Sequence, residues 1–94
     1  MRLAWTRPSR NDLEAIADHI AQDSPAAARD QLDKVKAAAG MLIRHPQLGR
    51  AGRVRGTKEL VIAHTPYILI YRVTGEIVDI LRVLHAARRW PPKP

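Results

Sequence analysis

Three apolar runs in the second half of the chain, separated by short polar links, constrain the fold more than any other feature. They span residues 59–63, 67–73 and 77–84. The links contain Thr65-Pro66 and Thr74-Gly75 and are too short for a crossover connection, which needs a dozen residues or more. Consecutive runs must therefore pair antiparallel, and this half of the chain is predicted to be a strand meander.

The first half of the chain carries helical signals. Leu3 and Trp5 alternate with other residues and indicate a short opening strand. Ser9, three residues before Asp12, resembles a helix start, and Ser24-Pro25 is a strong second start. The first helix is predicted to end near residue 22, and the second to run about 20 residues and stop before Pro46. Helical spacing relates two apolar sets: Leu13, Ile16, Ala17 and Ile20, then Ala28, Leu32, Val35, Ala39 and Leu42.

These elements predict one α+β domain of 94 residues, with the order β-α-α-β-β-β and an optional further strand at Arg53-Val54-Arg55. The two helices form a hairpin on one face of a small, mainly antiparallel sheet. The opposite face carries Ile68, Ile70 and Arg72 and is expected to be open. Its cover could be a partner chain, a tail or a second copy; alternatively, a strongly twisted sheet hides it under loops.

Composition narrows the classes of function. The net charge of +7 and the pI of about 10.8 favour acidic partners, whether nucleic acid, membrane surface or protein. Cysteine is absent, which excludes disulfides and thiolate chemistry. The histidines lack metal-ligand spacing, so neither a metal nor a cofactor is expected. No apolar run approaches the roughly 20 residues of a membrane span, and a cytoplasmic protein is expected.

The last predicted strand runs into a basic, aromatic tip. It brings His85, Arg88, Arg89 and Trp90 to one place, beside Arg82. His85 is interpreted as a structural or partner-contact group, with general-base catalysis as the alternative. A second basic run, formed by Arg50, Arg53 and Arg55, is either solvated or clustered with the tip. Paired carboxylates, a Ser-His-Asp pattern and a phosphate loop all lack support, so no catalytic residue is assigned.

Four motifs occur in a fixed order along the chain. They are His45-Pro46-x-x-Gly49-Arg50, the run 56–62 (GTKELVI), the run 66–73 (PYILIYRV), and the ending 80–91 (ILRVLHAARRWP). Together with the strand, helix, helix and meander order, they resemble the ParE branch of the RelE/ParE toxin superfamily. The resemblance spans residues 5–91. The family commonly has arginine where Lys58 stands.

The resemblance implies the toxin half of a bacterial type II toxin–antitoxin pair, neutralised by an antitoxin of ParD-like, Phd-like or other DNA-binding type that wraps the toxin. ParE toxins are implied to poison DNA gyrase. On this basis the target-facing residues are expected to be Arg82, His85, Arg88, Arg89 and Trp90. The antitoxin is expected to contact the helix hairpin and the open sheet face, at Leu13, Ile16, Ile20, Ile68, Ile70 and Arg72.

The ribonuclease branch of the same superfamily is the alternative. Its arginine after the tyrosine that opens the penultimate strand is replaced here by Ile68. Its second arginine falls at Ala86 by simple alignment, or at Arg88 after a register shift. Its late tyrosine has no counterpart before Pro94. The chain is therefore predicted to be a non-enzymatic gyrase inhibitor, with a ribosome-dependent ribonuclease or a basic nucleic-acid-binding module as the other hypotheses.

Overall fold

A computed structural model describes residues 1–88 and 90–91 of the chain. The predicted Arg89 contact lies outside these residues. Seven elements follow one another in the order β-α-α-β-β-β-β, which confirms the predicted α+β class. The elements are β1 (Arg2–Trp5), α1 (Arg7–Ala21), α2 (Pro25–Arg44), β2 (Arg50–Ala51), β3 (Lys58–Val61), β4 (Tyr67–Thr74) and β5 (Ile77–His85).

Hydroxyl caps start both helices. The Ser24 side chain accepts the Ala27 N–H at 3.1 Å and Pro25 begins α2, as predicted. The predicted start of α1 near Ser9 was wrong, because Thr6 is the N-cap and accepts the Ser9 N–H at 3.3 Å. Pro8 then falls in the first turn, where a missing N–H costs nothing. Asp30 and Lys34, four residues apart on α2, form an ion pair at 2.8 Å.

The sheet has the strand order β1-β5-β4-β3-β2. Among the described strands only β1 and β5 pair in parallel, so the prediction of a mainly antiparallel sheet is confirmed. The prediction of a strand at residues 53–55 was wrong. Gly52 N–H donates to Thr57 C=O at 2.8 Å and the Thr57 hydroxyl donates to Val54 C=O at 2.6 Å, so this segment turns the chain between β2 and β3.

The helix hairpin packs on one face of the sheet and encloses the main core. The buried side of α2 contributes Val35, Ala39 and Leu42. The strands contribute Leu69, Tyr71, Val78, Ile80 and Val83 among others. Leu13, Ile16 and Ile20 of α1 pack against this cluster and are half-buried. Six of the nine residues in the two predicted helical stripes therefore pack into this core, whereas Ala17, Ala28 and Leu32 line a groove shared by α1 and α2.

On the opposite face of the sheet, apolar side chains of β4 and β5 are shielded from solvent. Ile68 and Ile70 are only 2% and 0% exposed, so the expectation of an open isoleucine face is wrong for the isolated chain. They form a second buried cluster with Leu84, against which Leu81 and Trp90 pack. A tail was one of the three covers considered, and Trp90 belongs to the segment that follows β5. Arg72, on the same face, is exposed.

Candidate functional site

Arg82 is held by a carboxylate from the first helix. Its Nε donates to Asp12 Oδ2 at 2.7 Å, and a terminal nitrogen donates to Asp12 Oδ1 at 3.0 Å. The side chains are 21% and 12% exposed. This hydrogen bonding raises the pKa of Arg82 above its already high ordinary value. The predicted target-facing role of Arg82 stays a prediction, but its guanidinium is already paired within the chain.

Asp12 also closes an exposed length of sheet edge. Strand β1 ends opposite Ile80, so beyond that residue β5 is paired with β4 on one edge and has no described strand on the other. Asp12 Oδ2 accepts the Val83 N–H at 3.0 Å, and the Thr6 hydroxyl reaches the Ile80 carbonyl at 2.8 Å. The start of α1 thus replaces a neighbouring strand along this stretch. Sequence reasoning missed Asp12 as a site residue, because nothing local links it to a strand 70 positions away.

Trp90 lies against both Arg82 and the second apolar cluster. The guanidinium carbon of Arg82 is 5.7 Å from the centroid of the Trp90 ring, within cation–π range. Asp12, Arg82 and Trp90 therefore form a continuous stack from α1 to the segment after β5. The indole N–H of Trp90 is buried and has no hydrogen-bond partner among the described residues. Trp90 consequently covers the cluster of Ile68, Ile70 and Leu84.

His85 and Arg88 are the exposed members of the tip. His85 Nδ1 accepts the Ala87 N–H at 3.1 Å, and the His85 carbonyl accepts the Arg88 N–H at 2.8 Å. Since a backbone N–H can only donate, Nδ1 carries no proton and the neutral ring holds its proton on Nε2. The only nitrogen lone pair of that neutral ring is therefore engaged. His85 could act as a general base only after this turn opens.

A notch between the end of the helix hairpin and the start of β4 lies beside His85. The ring centroids of His85 and Tyr67 are 5.9 Å apart, with the rings nearly perpendicular. His19, Asp23 and Ser24 line the same notch. Ala86, at the position aligned with a nuclease arginine, is exposed and donates its N–H to Pro66 C=O at 2.8 Å. The structure thus brings His85 and Arg88 together in one turn, with Arg88 the free cation of that turn among the described residues.

The second basic run is organised around a buried carboxylate. Glu59 has a side chain only 1% exposed, and its Oε1 lies 3.6 Å from nitrogens of Arg50 and Arg53. Its Oε2 accepts the Arg53 N–H at 2.9 Å. The alternative in which this run joins the tip is not supported for Arg50 and Arg53, because both are committed to Glu59. Arg55 stays exposed in the turn.

Two of the sequence motifs meet at the hydroxyl of Tyr71. This hydroxyl donates to Pro46 C=O and accepts the Gly49 N–H, both at 2.8 Å. Gly49 is needed at this approach, because a Cβ there would lie 2.8 Å from the Tyr71 ring. Burial raises the pKa of Tyr71. The His45-Pro46-x-x-Gly49 motif therefore anchors the connector between α2 and β2 to the core.

The residues predicted to contact an antitoxin fall into different environments. Leu13 and Ile20 reach the surface, Leu13 in a cleft beside β1 and Ile20 in the notch beside His85. Ile16 packs inward, whereas Arg72 is exposed. Ile68 and Ile70 are buried, so an antitoxin could touch them only by displacing what covers them. These contacts stay predictions.

The described residues contain neither a cluster of metal ligands nor a membrane span. Over 1–88 and 90–91, no three histidine, aspartate or glutamate side chains gather as metal ligands would. Neither helix in that part of the chain has the length and apolarity of a membrane span.

Comparison with known proteins places this architecture in a family. The family model of the ParE toxin of the type II toxin–antitoxin system parDE matches residues 3–90. Y4kP of Sinorhizobium fredii is 39% identical over 90 residues, covering 96% of this chain and 93% of that protein. Toxin RelE2 of Caulobacter vibrioides is also 39% identical, over 87 residues, covering 93% of this chain and 97% of its own.

Solved structures agree. A chain of the chromosomal ParDE toxin–antitoxin system from P. aeruginosa superposes with a TM-score of 0.79 at 30% identity, covering 88% of this chain and 92% of that one. A chain of the RelBE2 toxin–antitoxin complex from Mycobacterium tuberculosis gives a TM-score of 0.58 at 31% identity, with 89% and 95% covered. The predicted resemblance is confirmed, and the chain belongs to the ParE toxin family of type II toxin–antitoxin systems, within the RelE/ParE superfamily.

Proposed function

We propose that this protein inhibits a DNA topoisomerase, with gyrase as the first candidate, by binding it and without catalysing a reaction. A co-expressed DNA-binding antitoxin of ParD-like or Phd-like type neutralises it in a toxin–antitoxin complex. The compartment proposed for this action is the cytoplasm, where the bacterial chromosome and its topoisomerases reside.

The hydrogen bond at His85 Nδ1 is the observation that best supports inhibition by binding without catalysis. Cleavage of RNA needs a group that takes the proton of the 2′-hydroxyl and cations that stabilise the phosphorane. At the tip, the lone pair of neutral His85 is engaged by Ala87 N–H. Arg82 is neutralised by Asp12. Of the two described arginines at or beside the tip, Arg82 and Arg88, only Arg88 offers an exposed guanidinium outside any ion pair.

Ile68 supports the same proposal. It stands where the nuclease branch is implied to have an arginine. Here its side chain is buried in the apolar cluster on the helix-free face of the sheet. A single substitution to arginine would bring a charge into this apolar cluster at a cost of several kcal/mol. A nuclease would therefore need a different arrangement of cations from the one the resemblance implies.

Purified protein added to a gyrase supercoiling reaction tests the proposal. We expect inhibition or accumulation of cleaved DNA, and relief of either effect when the antitoxin is added first. A reaction with topoisomerase I in place of gyrase is the control for nonspecific binding of a +7 protein to DNA. Undisturbed supercoiling at a large molar excess of toxin would overturn the gyrase assignment.

A ribosome-dependent ribonuclease is the second candidate, favoured by the exposed His85 and Arg88 in one turn and by the match to a protein named RelE2. Mapping of messenger RNA ends after brief induction tests it. Cuts within translated codons that vanish in both His85→Ala and Arg88→Ala would establish this activity. Unchanged transcript ends in a growth-arrested culture would exclude it.

A further inference from the structure

The turn that follows β5 is closed by hydrogen bonds around His85. The carbonyl of His85 accepts the Arg88 N–H at 2.8 Å, which makes a four-residue turn. Within that turn, His85 Nδ1 accepts the Ala87 N–H at 3.1 Å. Ala86 N–H donates to the Pro66 carbonyl at 2.8 Å, so the turn is also tied to the residue before β4. The backbone N–H groups of all three residues that follow His85 are therefore engaged.

The imidazole of His85 has the position that an asparagine side chain takes in an Asx-turn. In such a turn, a side-chain acceptor binds the backbone N–H two residues later. His85 and Ala87 have this spacing. The perpendicular contact with the Tyr67 ring, 5.9 Å between centroids, holds the imidazole against β4. His85 is thus fixed on the sheet and, in turn, fixes the backbone that follows it.

Arg88 occupies the last position of this turn. It is exposed and forms no ion pair with a described residue. A long side chain loses conformational freedom when it binds a target, and a fixed backbone reduces that loss. Among the described residues, His85 is the one whose side chain bonds to the backbone of the turn. The direction in which Arg88 leaves the molecule therefore depends on His85.

We propose that His85 is a positioning residue for Arg88: its neutral imidazole holds the Ala87 N–H and thereby presents the guanidinium to the target. Protonation of Nδ1 replaces this acceptor by a donor, so an imidazolium cannot hold the Ala87 N–H. Target binding should therefore weaken as the pH falls. The inference rests on the proposed inhibition by binding, and it gives His85 a role that acts through Arg88.

The charged and titratable groups around His85 favour the same response. Tyr67 of β4 meets the edge of the imidazole, and His19 of α1 and Asp23, which follows α1, line the notch beside it. Asp23 is the only carboxylate among the described residues that line this notch. A protonated His85 is attracted toward Asp23 and repelled by Arg88, so both charges draw the imidazolium away from the turn.

Nuclear magnetic resonance of the free toxin tests the hydrogen bond without any target. At about pH 8, the neutral ring of His85 should carry its proton on Nε2. The protection factor of the Ala87 amide against hydrogen exchange should be about tenfold higher in the parent than in His85→Ala. At about pH 5.5 the parent should lose this difference. A proton found on Nδ1 at about pH 8, or equal protection in both proteins, would overturn the proposal.

Inhibition of gyrase supercoiling by three variants separates positioning from direct contact. His85→Ala should raise the half-inhibitory concentration by about fivefold, and His85→Asn should restore most of the loss, because its amide oxygen accepts at the same spacing. The double variant His85→Ala, Arg88→Ala should be no weaker than Arg88→Ala alone, since the first residue acts through the second. Urea denaturation confirms that each variant folds. Additive losses would show that His85 touches the target itself and would contradict the proposal, as would His85→Asn being as weak as His85→Ala.

The pH profile of inhibition supplies the final test. The half-inhibitory concentration of the parent, corrected for the activity of gyrase alone at each pH, should rise by about threefold between about pH 8 and about pH 6. His85→Asn should give a flatter profile, and His19→Gln, which leaves His85 as the histidine of the notch, should follow the parent. An equally steep profile in His85→Asn would overturn the proposal. A parent that leaves gyrase undisturbed would refute the proposed function, and a protected Ala87 amide in the same sample would show that the turn itself is closed as described.

Discussion

The carboxylate of Asp12 ties the first helix to the last strand. It accepts two hydrogen bonds from Arg82 and one from the Val83 backbone. Asp12→Asn keeps an oxygen for one of these donors but leaves the mostly buried guanidinium without a counter-charge. We expect a loss of about 2 kcal/mol in the free energy of unfolding, measured by urea denaturation.

Asp30→Asn is the matched control for that variant. The pair of Asp30 and Lys34 has the same short contact, 2.8 Å, but lies in solvent on one helix. Its hydrogen bond lowers the pKa of Asp30, yet exposure and screening leave little of this as stability. The urea midpoint of Asp30→Asn should equal that of the parent. Equal losses in the two variants would contradict the structural role assigned to Asp12.

The hydroxyl of Tyr71 predicts a dependence on alkaline pH. Burial raises its pKa above the ordinary value of 10.0, so the folded state holds the phenol proton more tightly than the unfolded state does. The associated stability is complete below about pH 10 and is lost as the pH rises from there through the raised pKa. The free energy of unfolding, measured in steps from pH 8 upward, should fall less steeply above about pH 10 in Tyr71→Phe than in the parent.

At neutral pH the same variant should be less stable by about 1–3 kcal/mol, because the Pro46 carbonyl and the Gly49 N–H lose their partner. The other titrating groups are common to both proteins and cancel in the comparison. Parallel curves across the whole range would show that the Tyr71 proton is not linked to folding.

Among the secondary-structure elements, those with local signals were predictable. Ser24 and Pro25 determine the start of α2 by contacts within one turn. Thr6 and Ser9 are both able to cap a helix, and the competition was decided by contacts of Thr6 with β5, which the local sequence does not encode. The segment 53–55 alternates like a strand but is bent by hydrogen bonds to Thr57. A long-range contact therefore decided the first error, and a local turn decided the second.

Trp90, which follows β5, covers the second apolar cluster of the sheet, and this is testable. Trp90→Ala should expose Ile68, Ile70 and Leu84, increase binding of a hydrophobic dye, and lower the free energy of unfolding by about 1–2 kcal/mol. Trp90→Phe retains most of the buried ring and should behave nearly as the parent. Dye binding that is identical in Trp90→Ala and the parent would show that another group covers the isoleucines.

For the molecule as a whole, substitution of Arg88 should affect target inhibition, whereas substitution of Arg82 should affect stability. Arg88 is exposed and unpaired among the described residues, so Arg88→Ala should shift stability by less than about 0.5 kcal/mol and weaken target inhibition by about tenfold. Arg82→Ala should instead lower the free energy of unfolding, because the carboxylate of Asp12 loses its partner. The readouts are urea denaturation and the supercoiling assay. Full inhibition by Arg88→Ala would remove this arginine from the target surface.

The sequence placed the tip at the end of the last strand correctly, but it could not divide the roles within it. In the sequence, Arg82, His85 and Arg88 are simply three basic residues of the ending motif, residues 80–91. Their difference comes from a helix 70 positions earlier for Arg82 and from a local turn for His85. Only the three-dimensional arrangement distinguishes a paired cation from a free one.

The parallel pairing of β1 with β5 has a consequence for synthesis on the ribosome. The first strand, residues 2–5, can pair only after residues 77–80 have been synthesised. The hydroxyl of Thr6, which caps α1, also donates to the carbonyls of Ile80 and Leu81. The helix hairpin can form early from local contacts, whereas the sheet closes only when β5 has emerged from the ribosome. Until then the nascent chain keeps β1 and the cap of α1 without their partners in β5.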